Sequence, residues 1–399
     1  MIIFKTIEQN TLEILFKGMI VLKKIAVLLA MLIGMCCCSA TVSANDLQEI
    51  SAKGAVVIDG RTGEILFEKN AYEQLPMAST TKIMTTLLAL ESGNLDEEFT
   101  VDSQAIKVEG SSMGLQEGDC VTMRALCYGM MLPSGNDAAN CTAVRVAGSI
   151  DKFVDMMNER AEEMGLESTH FVTPSGLDDD TDEHYSTAYD MAMLAREAMQ
   201  NEDFREICSS EKAQVCFGNP PFDRWLINSN KLLKNCSGVI GIKTGFTDKA
   251  RRCLVSACER DGAMLICVTL NAPNDWQDHS ALYDYCFGFM ENQTLHLDRD
   301  TFSLNVVGGE KDAIKCVTEP AEAVLLKGRA NKVSTVIKLP KFVYAPVKLG
   351  DKVGQVEYYY NDILIESKDI FATEFVSIKK AQKKGFFEKC KEKLLDFVS

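Results

Sequence analysis

The stretch ASTTKIMTTLLALE, residues 78–91, combines a polar start with an apolar face and predicts a helix. Its apolar side chains recur at the spacing of one helix face: Ile83, Met84, Leu87, Leu88 and Leu90. Ser79 and Lys82 are three residues apart, so their side chains share a face and the Lys82 ammonium group can approach the Ser79 hydroxyl. The rest of the chain has to supply a layer against which the apolar face packs.

The Ser79–Lys82 pair is the first candidate for nucleophilic chemistry. A serine hydroxyl is a poor nucleophile until a base removes its proton, and an ordinary lysine, with a pKa of about 10.4, is protonated at neutral pH. Burial and a second cation both lower a lysine pKa, and Lys243 is the candidate for that cation. An isolated Ser-x-x-Lys leaves open the alternative of a serine that only caps a helix. The same pattern also begins at Ser149, Ser209 and Ser377.

Two further short motifs accompany this pair. Ser-Gly-Asn at 134–136 breaks the helical pattern of residues 122–165, at a place where side chains can project into a cleft. Lys-Thr-Gly at 243–245 ends a predicted strand that spans 239–244. An edge strand there can pair with an extended peptide through main-chain hydrogen bonds. Its lysine and threonine side chains can hold a terminal carboxylate.

The order of the three motifs carries more information than any one of them. Ser-x-x-Lys, Ser-x-Asn and Lys-Thr-Gly follow one another in suitable contexts, as in penicillin-binding proteins and serine β-lactamases. More narrowly, the chain resembles the D-alanyl-D-alanine carboxypeptidase family of low-molecular-weight penicillin-binding proteins. The matching segments lie within about residues 50–380: residues 78–85, 110–114, 133–139, 184–188 and 241–247.

The resemblance implies three catalytic residues. Ser79 attacks the carbonyl between two D-alanines and forms an acyl-enzyme, Lys82 is the general base, and Ser134 relays a proton to the leaving amine. Water then releases the shortened peptide. The implied partners are the stem peptides of peptidoglycan, and β-lactams as covalent inhibitors. No metal or organic cofactor is implied.

The resemblance also implies a set of substrate-binding residues: Asn136, Lys243, Thr244, Gly245 and Phe246. Asn136 orients the substrate, while Lys243 and Thr244 bind its terminal carboxylate. The backbone N–H groups of Ser79 and Phe246 form an oxyanion hole. Many relatives carry Ala-Gly shortly after this strand, whereas Ala-Arg-Arg stands here at 250–252 and adds two positive charges near the cleft.

The pattern of strands and helices predicts a mixed α/β fold. Strand-like runs at 54–59 and 65–68 come first, a hairpin at 253–258 and 263–270 comes last, and helices lie between them. The sheet therefore pairs the first and last segments. The resemblance implies a transpeptidase domain like that of penicillin-binding proteins and β-lactamases, with an antiparallel sheet and helices. After about residue 291, short runs separated by Gly, Asp and Pro predict a small all-β domain.

We expect four segments along the chain: a signal segment with upstream residues at 1–44, a peptidase domain at 45–290, a β domain at 291–378 and a basic amphipathic helix at 379–399. Lys23, Lys24 and the apolar run at 25–38 are typical of an export signal, with Met19 as a possible initiator. The tail carries seven lysines and three acidic residues, which suits an anionic membrane surface. The alternatives are an uncleaved anchor and a tail that packs on the β domain.

Composition excludes several classes of protein. The 399 residues include 42 basic and 57 acidic side chains, a net charge of −15 that argues against a general nucleic-acid binder. The 15 cysteines form no Cys-x-x-Cys pair, and the four histidines show no zinc-ligand spacing. Their scatter through predicted helices and strands favours reduced thiols.

Three rival functions would each need sequence features that differ from those of this chain or go beyond what they require. A class A β-lactamase needs a Glu-x-x-Leu-Asn string, and none lies between Asn136 and Lys243. The segment Gly-Ser-Ser-Met-Gly at 110–114 matches the elbow of Ser-His-Asp hydrolases, but its flanks support neither the strand nor the helix that an elbow needs. A non-catalytic wall-binding protein would not have to keep all three motifs. Hydrolysis and peptide transfer share one acyl-enzyme and stay open, as do a vegetative and a sporulation role.

Overall fold

The structure is a computed structural model that describes residues 47, 49–178 and 181–380. The predicted signal segment at 1–44 and residues 381–399 of the predicted tail lie outside this range. Within the part that is described, no helix is long and apolar enough to cross a bilayer. The cysteines of the described part are free thiols, and most of them are buried.

The N-terminal part alternates strands and helices. Its strands are β1 (Gly54–Asp59), β2 (Ile65–Lys69), β3 (Glu98–Thr100), β4 (Cys120–Thr122), β5 (Lys212–Gly218), β6 (Pro221–Ile227), β7 (Val239–Thr247), β8 (Arg251–Arg260) and β9 (Ala263–Leu270). Its helices are α1 (Lys82–Glu91), α2 (Met123–Met131), α3 (Asn136–Ala147), α4 (Ile150–Glu163), α5 (Ala188–Ala198), α6 (Glu202–Ser209), α7 (Leu232–Asn235) and α8 (Asp275–Phe287).

A five-stranded antiparallel sheet forms the centre of this part, in the spatial order β2-β1-β9-β8-β7. Strand β1 pairs with β9, so the first and last segments meet as the sequence pattern predicts. Alternate residues of β1 belong to different cores: Val56 and Ile58 pack with helices α1 and α5, whereas Ala55 and Val57 pack with α8. Because successive side chains of a strand point to opposite faces, helices cover the sheet on both sides.

The helical layer positions the second motif. Thr122 Oγ1 accepts a hydrogen bond from the Ala125 N–H (3.2 Å) and so caps the start of α2. Helix α2 ends at Met131 and α3 begins at Asn136, so the predicted break at 133–135 is present. Ser134 has φ +68 in this break. The short connection turns the chain sharply between two helices and leaves its side chains beside the sheet edge.

Two elements of this part are not predicted by the sequence pattern. The hairpin β5–β6 belongs to a second sheet, β3-β4-β5-β6, and β6 leaves Phe222, Trp225 and Ile227 exposed, so its apolar residues do not mark a buried face. Helix α8 lacks a simple apolar stripe because Asp278 and His279 lie on its buried face. The exposed apolar residues of β6 and the buried polar residues of α8 therefore hide both elements from a reading of hydrophobic periodicity.

The C-terminal part is all β, as predicted. Its strands are β10 (Met290–Leu295), β11 (Thr301–Val307), β12 (Ala313–Thr318), β13 (Ala321–Leu326), β14 (Ser334–Lys338), β15 (Phe342–Tyr344), β16 (Lys352–Tyr360) and β17 (Ile363–Ala372). They form a pair, β10-β13, and a six-stranded sheet, β14-β16-β17-β12-β11-β15. Glu64 of the N-terminal part accepts hydrogen bonds from Arg329 Nη2 (2.6 Å) and the Tyr360 hydroxyl (2.9 Å).

Candidate active site

The Ser79–Lys82 pair sits at the start of helix α1. A 3₁₀ turn over Ala78–Thr81 precedes the helix, and Lys82 is the first α-helical residue, so the predicted single helix from 78 begins with a tighter turn. Ala78 has φ +49 in this turn. Lys82 is fully buried and its Nζ lies 3.0 Å from Ser79 Oγ. The local pairing that the three-residue spacing predicts is therefore present.

The amine of Lys82 has three close partners. Its Nζ lies 2.7 Å from Asn136 Oδ1 and 2.6 Å from the Ser175 carbonyl oxygen, besides its contact with Ser79. Burial, and after it the charge of Lys243, hold the pKa of Lys82 well below its ordinary value. A neutral amine has two N–H donors and one lone pair. The two carbonyl oxygens can take both donors, which leaves the lone pair for the Ser79 hydroxyl proton.

Asn136 links this pair to the second motif. Its Oδ1 accepts from Lys82, while its Nδ2 donates to the Glu109 carbonyl (2.7 Å). Its backbone N–H donates to the Ser111 carbonyl (2.7 Å). The resemblance implied a residue that orients substrate, whereas the structure also places Asn136 directly against the amine. Ser134 is 8% exposed and lines the same cavity as Ser79.

Asp137 is a residue of the site that sequence reasoning missed. Its buried carboxylate accepts hydrogen bonds from the Ser112 hydroxyl (2.6 Å) and from four backbone N–H groups, those of Met113 (2.9 Å), Gly114 (3.0 Å), Leu115 (3.0 Å) and Ala138 (2.9 Å). These bonds tie the loop at 110–115 to the start of α3. The same loop carries the elbow-like string at 110–114. Because Ser112 is engaged with Asp137 and neither a strand nor a helix flanks the loop, the Ser-His-Asp interpretation is wrong.

A second missed contact lies behind the 3₁₀ turn. The Val172 N–H donates to His184 Nδ1 (2.9 Å), so the His184 proton is on Nε2, which donates to Thr81 Oγ1 (2.8 Å). Burial lowers the pKa of His184 to about 3, consistent with a neutral ring. Gly176 has φ +87, and a Cβ there would lie 2.0 Å from the Ala78 carbonyl oxygen. The backbone at 172–176 thus packs directly against the turn that carries Ser79.

Strand β7 brings the third motif to Ser79. It is the edge strand of the central sheet, as the peptide-pairing hypothesis requires. A Cβ on Gly245 would lie 3.0 Å from the Met77 carbonyl oxygen and 3.2 Å from the Ser79 nitrogen, so a side chain there would press on the turn that carries Ser79. Thr244 Oγ1 lies 2.8 Å from Ser229 Oγ. Phe246 is exposed at the end of the motif.

The third motif begins with Lys243, whose amine has a partner on its own strand. It is fully buried, and its Nζ donates to the Thr244 carbonyl oxygen (2.8 Å) of its own strand. Burial lowers the pKa of Lys243 to about 7. The charge of Lys243 lowers the pKa of Lys82, as expected of a second cation.

One cavity of about 350 Å³ joins the three motifs. Its lining residues come from all of them and from neighbouring segments: Ser79, Ser111, Pro133, Ser134, Ser229, Lys231, Thr244, Gly245, Phe246, Arg252, Asp275 and Trp276. Of the two added arginines, Arg252 lines the cavity, while Arg251 pairs with Asp248 (3.6 Å) in solvent. Among the residues that the structure describes, no group of three His, Cys, Asp or Glu side chains is arranged to hold a metal ion.

Three motifs surround one cavity: a Ser–Lys pair at a helix start, a Ser-x-Asn between two helices and a Lys-Thr-Gly on an edge strand. This arrangement defines the class of serine acyl-transfer enzymes to which penicillin-binding proteins belong. Two family descriptions match the sequence: "D-alanyl-D-alanine carboxypeptidase" over residues 39–274, and "Penicillin-binding protein 5, C-terminal domain" over residues 291–377. The chain belongs to the D-alanyl-D-alanine carboxypeptidase family, and it is a serine-type carboxypeptidase and penicillin-binding protein.

Individual relatives agree with this membership. The carboxypeptidase DacF of Bacillus subtilis is 32% identical over 84% of this chain and 87% of its own length. DacC of Escherichia coli is 30% identical over 85% of this chain and 86% of its own length. Among solved structures, the Streptomyces K15 DD-transpeptidase is 32% identical, with a TM-score of 0.57 over 60% of this chain and 98% of its own. DacD from Francisella tularensis is 29% identical, with a TM-score of 0.56 over 84% of this chain and 95% of its own. The predicted fold class is confirmed, and the non-catalytic and β-lactamase alternatives are not favoured.

Proposed function

We propose that Ser79 is the nucleophile and Lys82 the general base of a D-Ala-D-Ala carboxypeptidase that trims peptidoglycan pentapeptide stems. The observation that carries the proposal is the 3.0 Å contact between the fully buried amine of Lys82 and Ser79 Oγ, which lines the cavity. Two carbonyl oxygens occupy the N–H donors of the neutral amine, so its lone pair is directed to the serine proton. A base held in this way removes the proton as the serine oxygen attacks.

The reaction divides into acylation and deacylation. Ser79 Oγ forms a bond to the carbonyl carbon between the two D-alanines, and its proton passes to Lys82. The backbone N–H groups of Ser79 and Phe246 stabilise the oxyanion of the tetrahedral intermediate. Ser134 then relays a proton to the leaving amine, which departs as free D-alanine. Water hydrolyses the remaining ester and returns Ser79 to its starting state.

Substrate binding uses the edge of β7. A stem peptide that pairs with this strand gains main-chain hydrogen bonds without displacing another strand. Asn136 orients the peptide, Gly245 lets it come close to Ser79, and Thr244 and Lys243 belong to the end that receives the terminal carboxylate. A β-lactam would acylate the same serine, because its strained amide presents an equivalent carbonyl.

The test is covalent labelling by penicillin. Purified protein should gain one penicilloyl group per chain, measured by intact-protein mass spectrometry, and Ser79→Ala should gain none. Ser209→Ala is the matched control, because Ser209 begins another Ser-x-x-Lys but ends helix α6, where its hydroxyl donates to the Glu206 carbonyl. Undiminished labelling of Ser79→Ala would refute the assignment. Release of D-alanine from a D-Ala-D-Ala peptide, lost with the same variant, measures the hydrolysis itself.

The segment organisation and location are part of the proposal. We place a signal at 1–44, the peptidase domain at 45–290, the β domain at 291–378 and a membrane-associating tail at 379–399. Action outside the cytoplasm accords with the family, and the basic amphipathic tail would hold the enzyme on the outer face of the cytoplasmic membrane. Deletion of residues 381–399 should release the enzyme from membranes with its activity intact. Continued sedimentation with the membranes would contradict the tail as anchor.

A further inference from the structure

The hairpin that leads into the cavity carries an exposed aromatic side chain. Trp225 lies on β6, the edge strand of the sheet β3-β4-β5-β6, and is 59% exposed. Ile227, two residues later and so on the same face of the strand, is 67% exposed. The chain continues through Asn228 to Ser229, which lines the cavity and lies 2.8 Å from the Thr244 hydroxyl. The exposed face is therefore continuous with the substrate cavity.

Polar side chains surround the Trp225 ring. Gln214 lies opposite Trp225 in the pairing of β5 with β6, and its Nε2 donates to Asp223 Oδ2 (3.0 Å) on the same face. The Nζ of Lys212 lies 4.8 Å from the centre of the Trp225 ring. An amide, a carboxylate and an ammonium group thus stand around one indole. The core of a protein–protein interface is instead depleted of charged side chains, so this face is not typical of one.

The opposite face of β6 holds the hairpin in place. The Arg224 guanidinium lies 4.0 Å from the centre of the Phe217 ring and 4.2 Å from that of Phe222. Its Nη1 donates to the carbonyl of Gly114 (3.1 Å), in the loop that also contributes to the cavity wall. The exposed face is therefore fixed relative to the cavity, and a ligand that binds there has few additional groups to order.

A sugar ring matches this combination of groups. One face of a pyranose presents C–H groups, which are attracted to the electron-rich face of an indole. Its rim carries hydroxyl and acetamido groups, which hydrogen-bond to amide, carboxylate and ammonium side chains. The stem peptides of peptidoglycan are attached to strands of such N-acetylated sugars. The ligand that fits the Trp225 face is therefore part of the same polymer as the peptide that fits the cavity.

The separation of the two places agrees with this assignment. Trp225 precedes Ser229 by four residues, which corresponds to about 13 Å of extended chain. The four residues of a pentapeptide stem that precede the scissile bond span at most about 13–14 Å. A glycan strand whose stem peptide occupies the cavity can therefore reach the Trp225 face.

We propose that Trp225, Gln214 and Asp223 form a glycan-binding site, which holds the polysaccharide strand of peptidoglycan while its stem peptide enters the cavity. This inference rests on the proposed function of the Ser79 site and extends it from the peptide to the strand that carries it. The Trp225 ring stacks on a sugar ring, and Gln214 and Asp223 hydrogen-bond to its polar rim. Because these residues contact no reacting atom, they contribute to the binding of polymeric substrate and not to the chemical step.

The first measurement is the binding of glycan strands from which the stem peptides have been removed, by isothermal titration calorimetry with the full chain. Trp225→Ala should weaken this binding about 5- to 100-fold, the range for one ring stacked on an aromatic side chain. Trp225→Phe keeps an aromatic face and should recover part of the affinity. Gln214→Ala removes one hydrogen-bonding group and should weaken the binding less than Trp225→Ala does.

The second measurement is the release of D-alanine from two substrates. For polymeric peptidoglycan with pentapeptide stems, Trp225→Ala should raise KM and leave kcat nearly unchanged, as expected when an interaction common to ground state and transition state is lost. For a soluble tripeptide that ends in D-Ala-D-Ala, kcat/KM should change less than about twofold, because this substrate has no glycan. Tyr344→Ala is the matched control and should alter neither substrate, since Tyr344 is an aromatic residue that is 70% exposed on β15 of the C-terminal part.

Three results would overturn the inference. Trp225→Ala could bind stripped glycan strands as well as the unmodified enzyme does, or it could lose activity on the tripeptide as much as on the polymer. It could also dissociate a dimer in sedimentation velocity, which would assign the face to contact with a second copy of the chain. If the unmodified enzyme binds glycan strands but forms no penicilloyl adduct on Ser79, the proposed function fails while the glycan site is retained, so the two failures are distinguishable.

Discussion

Replacing Asn136 by aspartate tests whether Lys82 must be uncharged to act as the base. Asn136 Oδ1 lies 2.7 Å from Lys82 Nζ and both side chains are buried. Aspartate has nearly the same shape but places a negative charge at that distance. At an effective dielectric constant of about 20, two unit charges 2.7 Å apart interact by about 6 kcal/mol. At about 1.36 kcal/mol per unit, this corresponds to a rise of about four units in the pKa of Lys82.

The sign of the effect follows from which form of Lys82 is active. A neighbouring negative charge favours the ammonium form, so the free amine appears only at higher pH. The acylation rate of Asn136→Asp at neutral pH should therefore fall, at most by the roughly ten-thousandfold that a rise of about four units allows. It should recover by about tenfold for each unit of rising pH until the raised pKa is reached.

The assay is the second-order rate of acylation by a fluorescent penicillin, measured from about pH 6 to about pH 10. Asn136→Ala is the matched control, since it removes the carbonyl acceptor of Lys82 without adding a charge. Thermal unfolding of both variants verifies that they are folded. If the pH profiles of the Asp and Ala variants coincide, the charge state of Lys82 does not control acylation and the reasoning is refuted.

The remaining predictions concern the contacts that support the site. Asp137→Asn replaces an acceptor of five hydrogen bonds by an amide and should lower the free energy of unfolding by about 1–3 kcal/mol, measured by urea denaturation, with a loss of acylation. Gly176→Ala places a methyl group 2.0 Å from the Ala78 carbonyl and should abolish penicillin labelling or soluble expression, whereas an active, stable variant would contradict the packing. Glu64→Gln weakens the ion pair with Arg329 and should make the β domain more sensitive to limited proteolysis while the acylation rate stays unchanged.

The part of the site that the sequence predicts is the local part. Ser79 and Lys82 meet because a helical turn brings residues three apart together, and this geometry needs no tertiary information. The N-cap at Thr122 and the break before Asn136 are local in the same sense. The order of the three motifs then indicates the family, so the reaction type follows from the amino-acid sequence without tertiary information.

The supporting contacts could not be predicted in this way. Asp137 binds a loop more than twenty residues earlier in the chain, and His184 binds Thr81 across about one hundred residues. Such partners meet only after distant segments have packed, and nothing in their immediate neighbours marks them. The charge carried by Arg252 was visible in the sequence, but its partner Asp275 and its place on the cavity wall were not.

The amino-acid sequence by itself determined the elements of secondary structure around the catalytic motifs, the Ser–Lys pairing and the kind of reaction, because these depend on periodicity and on chemical groups within a few residues. Only the tertiary structure decided the environment that keeps the base uncharged. The edge strand, the start of α1 and several loops converge at the site. Their packing buries Lys82 and Lys243, brings the Ser175 carbonyl against the Lys82 amine and orients Arg252. Solvent exclusion and long-range contacts have no local signature, since they are properties of the assembled core.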